Sequence, residues 1–314
     1  MLVESSLSFH YNSFVMFHSP HIPGRTMSVQ YITTGVESLA RRISLSGLMS
    51  RREAEKAILT GLVTVDGKSV TKGCTVPDAS TVIVDGMHMI PPPPQVPRLW
   101  GMIKPRGVIS DFHAEGAESR SLADLVRKWN VKQKRDYGSK SIELENINPT
   151  FSNLNHFIVV NKIPTMATGL VLLTTDAIFA SSLTRIESKI LTTYRIRTPA
   201  ILDSTLDQMR NWKKGISVTG CDFGPVFVDV EKRTPTQTWL RVRLVANTER
   251  CKGLKDLLWF RAGVRVNRVN VVAFGPYRAS DVAERSVVPL PIDPSISHLV
   301  PQREIKPTLV RQFA

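Results

Sequence analysis

The chain has 314 residues, 42% of them hydrophobic, which is enough for two domains or one large domain. Its 41 Lys and Arg residues exceed its 27 Asp and Glu residues by 14, so a nucleic-acid phosphate backbone is the expected large partner, and a basic protein without such a partner is the alternative. The three cysteines, Cys74, Cys221 and Cys251, form no CxxC pair, which argues against a zinc site or a disulfide framework and fits a reducing compartment, and the longest apolar runs are too short to span a bilayer.

Residues 1–36 differ in composition from the rest of the chain. They are rich in Ser, His and aromatic residues, with Glu4 as their one acid and Arg25 as their one Lys or Arg. Few acids and many hydroxyls are typical of an organelle transit segment, although such a segment is usually richer in Arg. A disordered N-terminal extension is the alternative interpretation, and Met27 is a second candidate for the start of the protein.

Residues 37–86 are predicted to form a compact unit that begins with two helices. In the first helix, apolar residues recur at helical spacing and Gly47 is the expected stop. In the second helix, Ser50 and Glu53 form an S-x-x-E capping box, and Gly61 ends the helix. The apolar positions are Leu39, Ile43 and Leu48 in the first helix and Ala54, Ala57 and Ile58 in the second.

Short strands are predicted after the helix pair. The stretch "LVTVDGKSV" alternates apolar and polar residues about Asp66–Gly67. An Asp-Gly pair between two such runs is a strong hairpin signal. The stretch "STVIVDG", at 80–86, supplies a further strand, so the predicted order is helix, helix and then short strands.

The helix pair carries a basic cluster near one end. Only Glu53 and Glu55 oppose it locally. Arginines on a rigid helix pair hold phosphates at a defined spacing, which suits structured RNA, and a solvated charged face is the alternative interpretation. The cluster consists of Arg41, Arg42, Arg51, Arg52 and Lys56.

The stretch "ARRISLSGLMSRREAEKAILTGLVTVDGKSV" resembles the RNA-binding domain named after ribosomal protein S4. In that family a capped basic helix leads into G-x-V-x-V-[ND]-G-x-x-[VI], and nearly every position is present here. The resemblance implies that residues 37–86 bind structured RNA through the basic cluster and Lys68. It implies nothing about catalysis.

A proline-rich linker is predicted at 87–97, because "PPPPQVP" favours a stiff, extended spacer. A PxxP ligand for another protein is the alternative interpretation of this stretch. After the linker, residues 99–103 are predicted to form a strand, and "KPRG" at 104–107 a basic turn into the next strand.

Residues 98–290 resemble the bacterial-type pseudouridine synthases of the RsuA and RluB kind. The stretch "KPRGV" is similar to their "NKPRGV" opening, and those enzymes carry the same RNA-binding domain and linker in front. The stretches "SLADLVRKW", "TTYRIRTPA", "LDSTLDQMRNWKKGISVTG" and "FRAGVRVNRVNVVAFGPYRASDVAERSVVPL" resemble later elements of the family in the same order. Residues 130–155 look like a polar insertion, and residues 291–314 like a tail that needs a partner to order it.

The central motif of that family, GRLDxxTxGLLLLTNDG, is altered at its acid in this chain. In the family the Asp supplies the essential carboxylate, which can act as a nucleophile or a base where a neutral side chain cannot. Aligned without gaps on Gly169, the chain has Lys162 at the Arg and Pro164 at the Asp. No acid lies between Glu145 and Asp176. Asp176 matches the second Asp of the motif and is expected to serve a structural turn.

Two further site elements depart from the family pattern. Its "KTY" is Thr192-Thr193-Tyr194 here, so the Lys is absent and the Tyr is kept. Its basic helix start, "EGRNRQVRRM", aligns with "ERCKGLKDLL" at 249–258. Basic or polar positions of that helix are occupied here by Cys251, Gly253, Asp256 and Leu257. Three altered elements on a retained scaffold indicate a fold kept for something other than base isomerisation.

The resemblance implies an α+β fold, with a small helical S4-type domain and a larger domain whose mainly antiparallel sheet is flanked by helices. The cleft is expected beside the loop 157–169. The histidines have no partner at metal spacing, so we expect no metal and no cofactor. Outside the first unit, the residues expected to contact RNA are Lys104, Arg106, Lys162, Tyr194 and Arg268.

The functional hypothesis is a catalytically inactive relative of the pseudouridine synthases that binds ribosomal RNA. Its expected partners are ribosomal proteins or assembly factors, and neither a membrane nor DNA. One alternative is an active synthase that uses Asp111 or Asp176 as its carboxylate, and another is an RNA chaperone or translational regulator unrelated to the ribosome. The acid-poor leader predicts a mitochondrial location, with the plastid, cytoplasm and nucleolus as alternatives.

Overall fold

The computed structural model describes residues 28–111, 120–126, 155–303 and 305–312. The first 27 residues of the predicted leader and nearly all of the predicted insertion lie outside these ranges. Within them, no helix has both the length and the apolar character needed to cross a bilayer.

The chain divides into two compact units. The first contains residues 1–42, 51–93 and 302–314, and the second contains residues 43–50 and 94–301. The domain boundaries predicted from the sequence stay predictions.

Helices and strands are numbered here in chain order. The described helices are α1 (Leu39–Ser46), α2 (Arg51–Leu59), α3 (Ala177–Thr184), α4 (Asp203–Arg210) and α5 (Thr248–Ala262), and residues 122–126 are also helical. The strands of the first unit are β1 (Ser28–Ser38), β2 (Val63–Val65), β3 (Lys68–Val70), β4 (Thr75–Pro77), β5 (Val82–Val84), β6 (His88–Ile90) and β18 (Ile305–Gln312). The strands of the second unit are β7 (Leu99–Lys104), β8 (Ile158–Val159), β9 (Thr168–Thr174), β10 (Leu191–Pro199), β11 (Ile216–Val218), β12 (Cys221–Gly224), β13 (Phe227–Arg233), β14 (Gln237–Val245), β15 (Arg268–Phe274), β16 (Tyr277–Arg278) and β17 (Val287–Leu290).

Local sequence signals account for the helices and the hairpin of the first unit. Helix α1 stops before Gly47, whose φ of +83° suits a residue without a side chain, and α2 closes in the same way before Gly61. Strands β2 and β3 are joined by Asp66 and Gly67 at φ +49° and +79°, the two positive angles of a type I′ turn. The predicted helix pair and hairpin are therefore confirmed.

The first and last described strands of the first unit pair with each other. Strand β1 runs antiparallel to β18, from Ser28 opposite Gln312 to Gly35 opposite Ile305, and its end also pairs with β4. Arg303 and Asp78 form a two-pronged ion pair at 2.7 and 3.0 Å beside these strands. No strand was expected before residue 37, because its pairing partner lies almost the whole chain away.

The structure of the C-terminal segment differs from the predicted tail. Ile296 is buried in the core of the second unit, and Asp293 accepts a hydrogen bond from the backbone of Ser295 to start a 3-10 turn. The Tyr277 hydroxyl donates to the carbonyl of Pro291 at 2.8 Å. Apolar burial and these bonds order residues 291–303 within the chain itself, so this part needs no partner.

The second unit is built on a nine-stranded sheet. The strand order is β13-β14-β10-β15-β9-β7-β17, with β16 beside β15 and β8 beside β9. Only the β15–β9 contact is parallel among these described pairs. The side chains of residues 170–173 on the central strand β9 are fully buried, which explains their unbroken apolar run. The α+β fold with a mainly antiparallel sheet is confirmed.

Asp176, which was expected to serve a structural turn, begins helix α3. Its carboxylate oxygen accepts hydrogen bonds from the backbone of Ile178 at 2.9 Å and of Phe179 at 3.2 Å. These are two donors that a helix N-terminus leaves unpaired. Asp176 is buried, so its carboxylate serves the helix and faces no cleft.

Candidate functional site

The loop between β8 and β9 is held in place by side chains that sequence patterns did not single out. The Asn161 amide donates to the carbonyl of Leu170 at 2.9 Å and accepts from the backbone of Leu172 at 2.7 Å. The Ser110 hydroxyl donates to the carbonyl of Ile163 at 2.7 Å and accepts from its backbone N–H at 3.2 Å. The backbone N–H and the carbonyl of Ile163, the residue before Pro164, are therefore both held by the Ser110 hydroxyl.

Pro164 begins the turn that leads the chain back into β9. Its carbonyl accepts a hydrogen bond from the backbone of Ala167 at 2.9 Å. The pyrrolidine ring has neither a titratable group nor a backbone N–H. At the loop position aligned with the catalytic acid, the chain therefore presents a group that can neither attack a sugar nor accept a proton.

Lys104 does not line a cleft, in contrast to the prediction. Its side chain is fully buried at the end of β7. Its ammonium donates to the carbonyls of Val108 at 2.7 Å, Pro105 at 3.1 Å and Thr165 at 3.2 Å. An ammonium has three donors, and all three are engaged within the protein. Lys104 therefore joins the basic turn to the loop and is not available to a phosphate.

The burial of Lys104 predicts a pH-dependent stability. Burial lowers the pKa of its ammonium from the usual 10.5 to about 8, so the unfolded chain binds more protons than the folded chain between these values. Stability rises with pH wherever the unfolded state binds more protons, and we expect the free energy of unfolding to increase by about 1 kcal/mol from pH 8 to pH 9. Above pH 9 the buried thiol of Cys251 opposes this rise, because burial raises its pKa to about 11.

Urea denaturation of the wild type and of Lys104→Met across this pH range measures the effect. The variant should lack the increase, while Lys68→Met, which removes an exposed ammonium, should retain it. Equal slopes in the wild type and in Lys104→Met would contradict the prediction.

Tyr194 and Cys251 lie next to each other in the wall of a small cavity. Tyr194 is 2% exposed on β10, and burial raises the pKa of its phenol well above 10. A hydrogen bond joins it to the thiol of Cys251 on α5. Since burial also raises the pKa of that thiol to about 11, Cys251 is protonated at neutral pH and is no nucleophile.

The cavity beside these two side chains has a volume of about 10 Å³, the space of roughly one water molecule. A uracil ring does not enter it without movement of its walls. Of the residues that line it, none is Asp or Glu. Its lining includes Asn161, Lys162, Tyr194, Asn247, Cys251 and Phe274.

Helix α5 contains the altered positions of 249–258. Cys251 and Leu257 lie on its buried face, and at Gly253 an added Cβ would be 2.9 Å from the ring of Phe223. The sequence signal was the loss of basic residues in this stretch. In the structure, these positions lie on a helix face that packs against the sheet and strand β12. The family pattern places RNA-facing arginines at the same positions.

Asp111 is an acidic residue that lies near the loop between β8 and β9. Its carboxylate is 3.0 Å from the ammonium of Lys162, and both side chains are nearly half exposed. Asp111 does not line the cavity beside Tyr194. No group of three or more His, Cys, Asp or Glu side chains suited to a metal ion occurs within the described ranges.

The predicted basic cluster of the first unit divides into exposed and buried residues. Arg51, Arg52, Lys56 and Lys68 are exposed. Arg41 is mostly buried and lies 2.6 Å from Glu37. The exposed residues can reach a phosphate, as the prediction requires.

Arg42 corrects the prediction for this cluster. It is 2% exposed, and its guanidinium donates to the carbonyls of Pro77, Ser80, Ile90 and Pro91 at 2.9–3.3 Å. Four carbonyl acceptors inside the unit use its donors, so Arg42 stabilises the fold and does not bind RNA. A sequence pattern cannot separate it from Arg41, because both are arginines on the same helix.

The remaining predicted contacts lie in different places. Arg106 and Lys162 are exposed. Arg268 is exposed on β15 opposite Arg197 of β10. Since side chains alternate along a strand, Arg197 and Arg268 lie on the sheet face opposite that of Tyr194. The structure therefore does not bring Arg268 to the cavity.

Comparison with known proteins finds similarity to proteins named as RNA pseudouridine synthases. A protein of Rickettsia felis named as an uncharacterized RNA pseudouridine synthase is 26% identical over 243 residues, which covers 77% of this chain and 91% of that protein. The chain is a relative of the RNA pseudouridine synthases. A second similar protein, from Xylella fastidiosa, is named ribosomal large subunit pseudouridine synthase B. It is 24% identical to this chain over 273 residues. That match covers 83% of this chain and 51% of the Xylella protein, and the resemblance to the RluB kind is confirmed.

A crystal structure of a pseudouridylate synthase aligns over 81% of this chain and 96% of its own, at 14% identity and a TM-score of 0.47. No protein-family profile matches the chain.

Proposed function

We propose that this pseudouridine-synthase relative is an RNA-binding protein without synthase activity, which acts on ribosomal RNA in ribosome assembly or stays associated with the ribosome. The observation that carries the proposal is Pro164 at the position of the acid, beside a cavity of about 10 Å³ whose lining contains no carboxylate. Exposed basic residues of the first unit and the net charge of +14 support RNA binding. The name of the Xylella relative, ribosomal large subunit pseudouridine synthase B, supports ribosomal RNA as the ligand.

Loss of catalysis and retention of RNA binding are separable. Individual acid–base groups contribute about 10²–10⁴-fold to rate, so a site without its carboxylate loses most of its activity. Binding depends on phosphate contacts spread over the surface and needs no particular carboxylate. The fold can therefore retain affinity for RNA after the reaction is lost.

The test incubates the purified full chain with ribosomal RNA transcripts and measures both binding and pseudouridine content. We expect salt-sensitive binding with no pseudouridine above the protein-free background. Pro164→Asp should also remain inactive, because a uracil ring does not enter the cavity without movement of its walls. Conversion of uridine by the wild-type chain would overturn the proposal, and retained binding in the same samples shows that the protein is folded.

One observation favours a second candidate function, an active synthase that uses a different carboxylate. Asp111 lies 3.0 Å from Lys162 at the loop, whereas Asp176 is occupied as a helix cap. If the chain is active, Asp111→Asn should abolish conversion and Asp256→Asn, at an exposed position on α5, should not. Absence of conversion in all three proteins would exclude this candidate.

The mitochondrion is the proposed compartment, supported by the acid-poor composition of residues 1–36. The chain carrying a C-terminal fluorescent tag should colocalise with mitochondria and co-sediment with their ribosomal subunits. A plastid, cytoplasmic or nucleolar signal would refute the location. Failure to co-sediment with any ribosomal subunit would favour an RNA chaperone or regulator.

A further inference from the structure

The sheet of the second unit has a basic face on the side opposite Tyr194. Along β10 the residues alternate between buried Tyr194 and Ile196 and partly exposed Arg195 and Arg197. Because successive side chains of a strand point to opposite sides, the arginines lie on the face away from the cavity. We call it the arginine face, formed by Arg195, Arg197, Arg241, Arg243, Arg268, Trp239 and Phe227.

Strand register places like charges directly opposite one another on this face. Arg195 of β10 is paired with Arg241 of β14, and Arg197 is paired with Arg268 of β15. Residues directly opposite on adjacent strands have Cβ atoms about 4.5–5.5 Å apart, and like charges in such positions repel. An anion laid across the strands would relieve this repulsion, above all between Arg197 and Arg268.

Acidic side chains compensate only part of this charge. Glu231 lies 2.9 Å from Arg195 and 3.4 Å from Arg241, and Asp229 lies 3.0 Å from Arg243. Neither Arg197 nor Arg268 has an ion pair among the described residues, and the shielded Nε of Arg197 has no hydrogen-bond partner there. The side chains of Arg195, Arg241 and Arg243 remain 41–51% exposed. Donors are thus available to a ligand.

Aromatic rings lie among these guanidinium groups. The guanidinium carbons of Arg195 and Arg197 are 4.6 and 5.8 Å from the ring centroid of Trp239, and that of Arg243 is 5.6 Å from the ring of Phe227. A groove of cations interleaved with aromatic rings is the arrangement that binds single-stranded nucleic acid, since phosphates pair with the cations and bases stack on the rings. An acidic peptide would pair with the cations, whereas the bases of RNA can also contact the exposed parts of the rings.

We infer that the arginine face is a second RNA-contact surface, which takes the phosphate backbone and bases of a single-stranded RNA segment. This inference rests on the proposed RNA binding and adds a surface distinct from the cavity and from the basic residues of the first unit. Its phosphate contacts are made by Arg197 and Arg268, and Trp239 supplies a stacking surface.

The test measures binding of the full-length chain to a fluorescently labelled oligouridine over a range of salt concentrations. The double variant Arg197→Gln with Arg268→Gln should bind about tenfold more weakly, and the slope of log Kd against log salt should fall by about 1.4, which corresponds to two lost phosphate contacts on a single strand. The matched control, Arg265→Gln with Arg285→Gln, removes the same charge elsewhere, including an arginine 5.8 Å from the ring of Trp259. The control should change affinity less than about twofold.

Stacking is separated from charge by Trp239→Leu, which should weaken oligouridine binding by about tenfold with an unchanged salt slope. Melting curves of every variant confirm that it is folded. Equal effects of the two double variants, or tighter binding of polyglutamate than of oligouridine at this face, would overturn the inference.

Binding of structured ribosomal RNA distinguishes the inference from the proposed function. If the wild type binds that RNA and the two double variants bind oligouridine equally, the arginine face is refuted and the proposed function stands. If the wild type binds neither RNA, both are refuted.

Discussion

Replacement of Gly169 by alanine is expected to lower the free energy of unfolding by about 3–5 kcal/mol. Gly169 has a φ of +118°, at the point where β9 pairs in parallel with β15. A Cβ there would overlap the carbonyl oxygen of Val271 and lie 2.6 Å from the nitrogen of the same residue. These are backbone atoms in a paired strand, so they cannot move aside as a flexible side chain can. Chemical denaturation of the wild type and the variant measures the difference.

Gly263 provides the matched control for this substitution. It also has a positive φ, +64°, and ends α5, but no atom lies within 4 Å of an added Cβ. Gly263→Ala should therefore lower stability by only about 1 kcal/mol, the conformational penalty alone. Similar losses in the two variants would show that the close approach of β9 and β15 is not the cause.

We expect Arg42→Met to lower the free energy of unfolding by about 3–4 kcal/mol. The guanidinium of Arg42 satisfies carbonyls of the loops around β4, β5 and β6, and methionine leaves those carbonyls without a donor in a buried site. Thermal and chemical denaturation of the full chain measure the loss. At temperatures where the variant is still folded, its affinity for structured RNA should be close to that of the wild type.

Arg52→Met is the opposite case on the neighbouring helix. Arg52 is exposed at the start of α2, so its replacement should change stability by less than about 0.5 kcal/mol and should weaken RNA binding. A stability loss in Arg52→Met, or weakened RNA binding by folded Arg42→Met, would contradict this assignment of roles.

Several contacts within the chain hold the loop after β8 and the cavity beside it in place. Asn161 and Ser110 fix the loop by backbone hydrogen bonds, and Cys251 fills the space beside Tyr194. Each of these contacts stabilises the folded chain without requiring a substrate.

Much of the local structure was predictable from the sequence, because the relevant forces act between near neighbours. The Asp66–Gly67 turn, the stop of α1 at Gly47 and the cap of α3 at Asp176 each depend on residues a few positions apart. The register of residues 169–176 likewise indicated that Pro164 occupies the position of the acid.

The sequence by itself determined the helix pair and the Asp66–Gly67 hairpin of the first unit, and that the loop after β8 carries no acid. Only the tertiary structure decided that Arg42 and Lys104 are buried, that the cavity is closed by Cys251, and that five arginines share one face of the sheet. The physical reason is distance along the chain: burial and charge clustering depend on strand register and packing between segments far apart in sequence, and a pattern read along a single segment does not contain them.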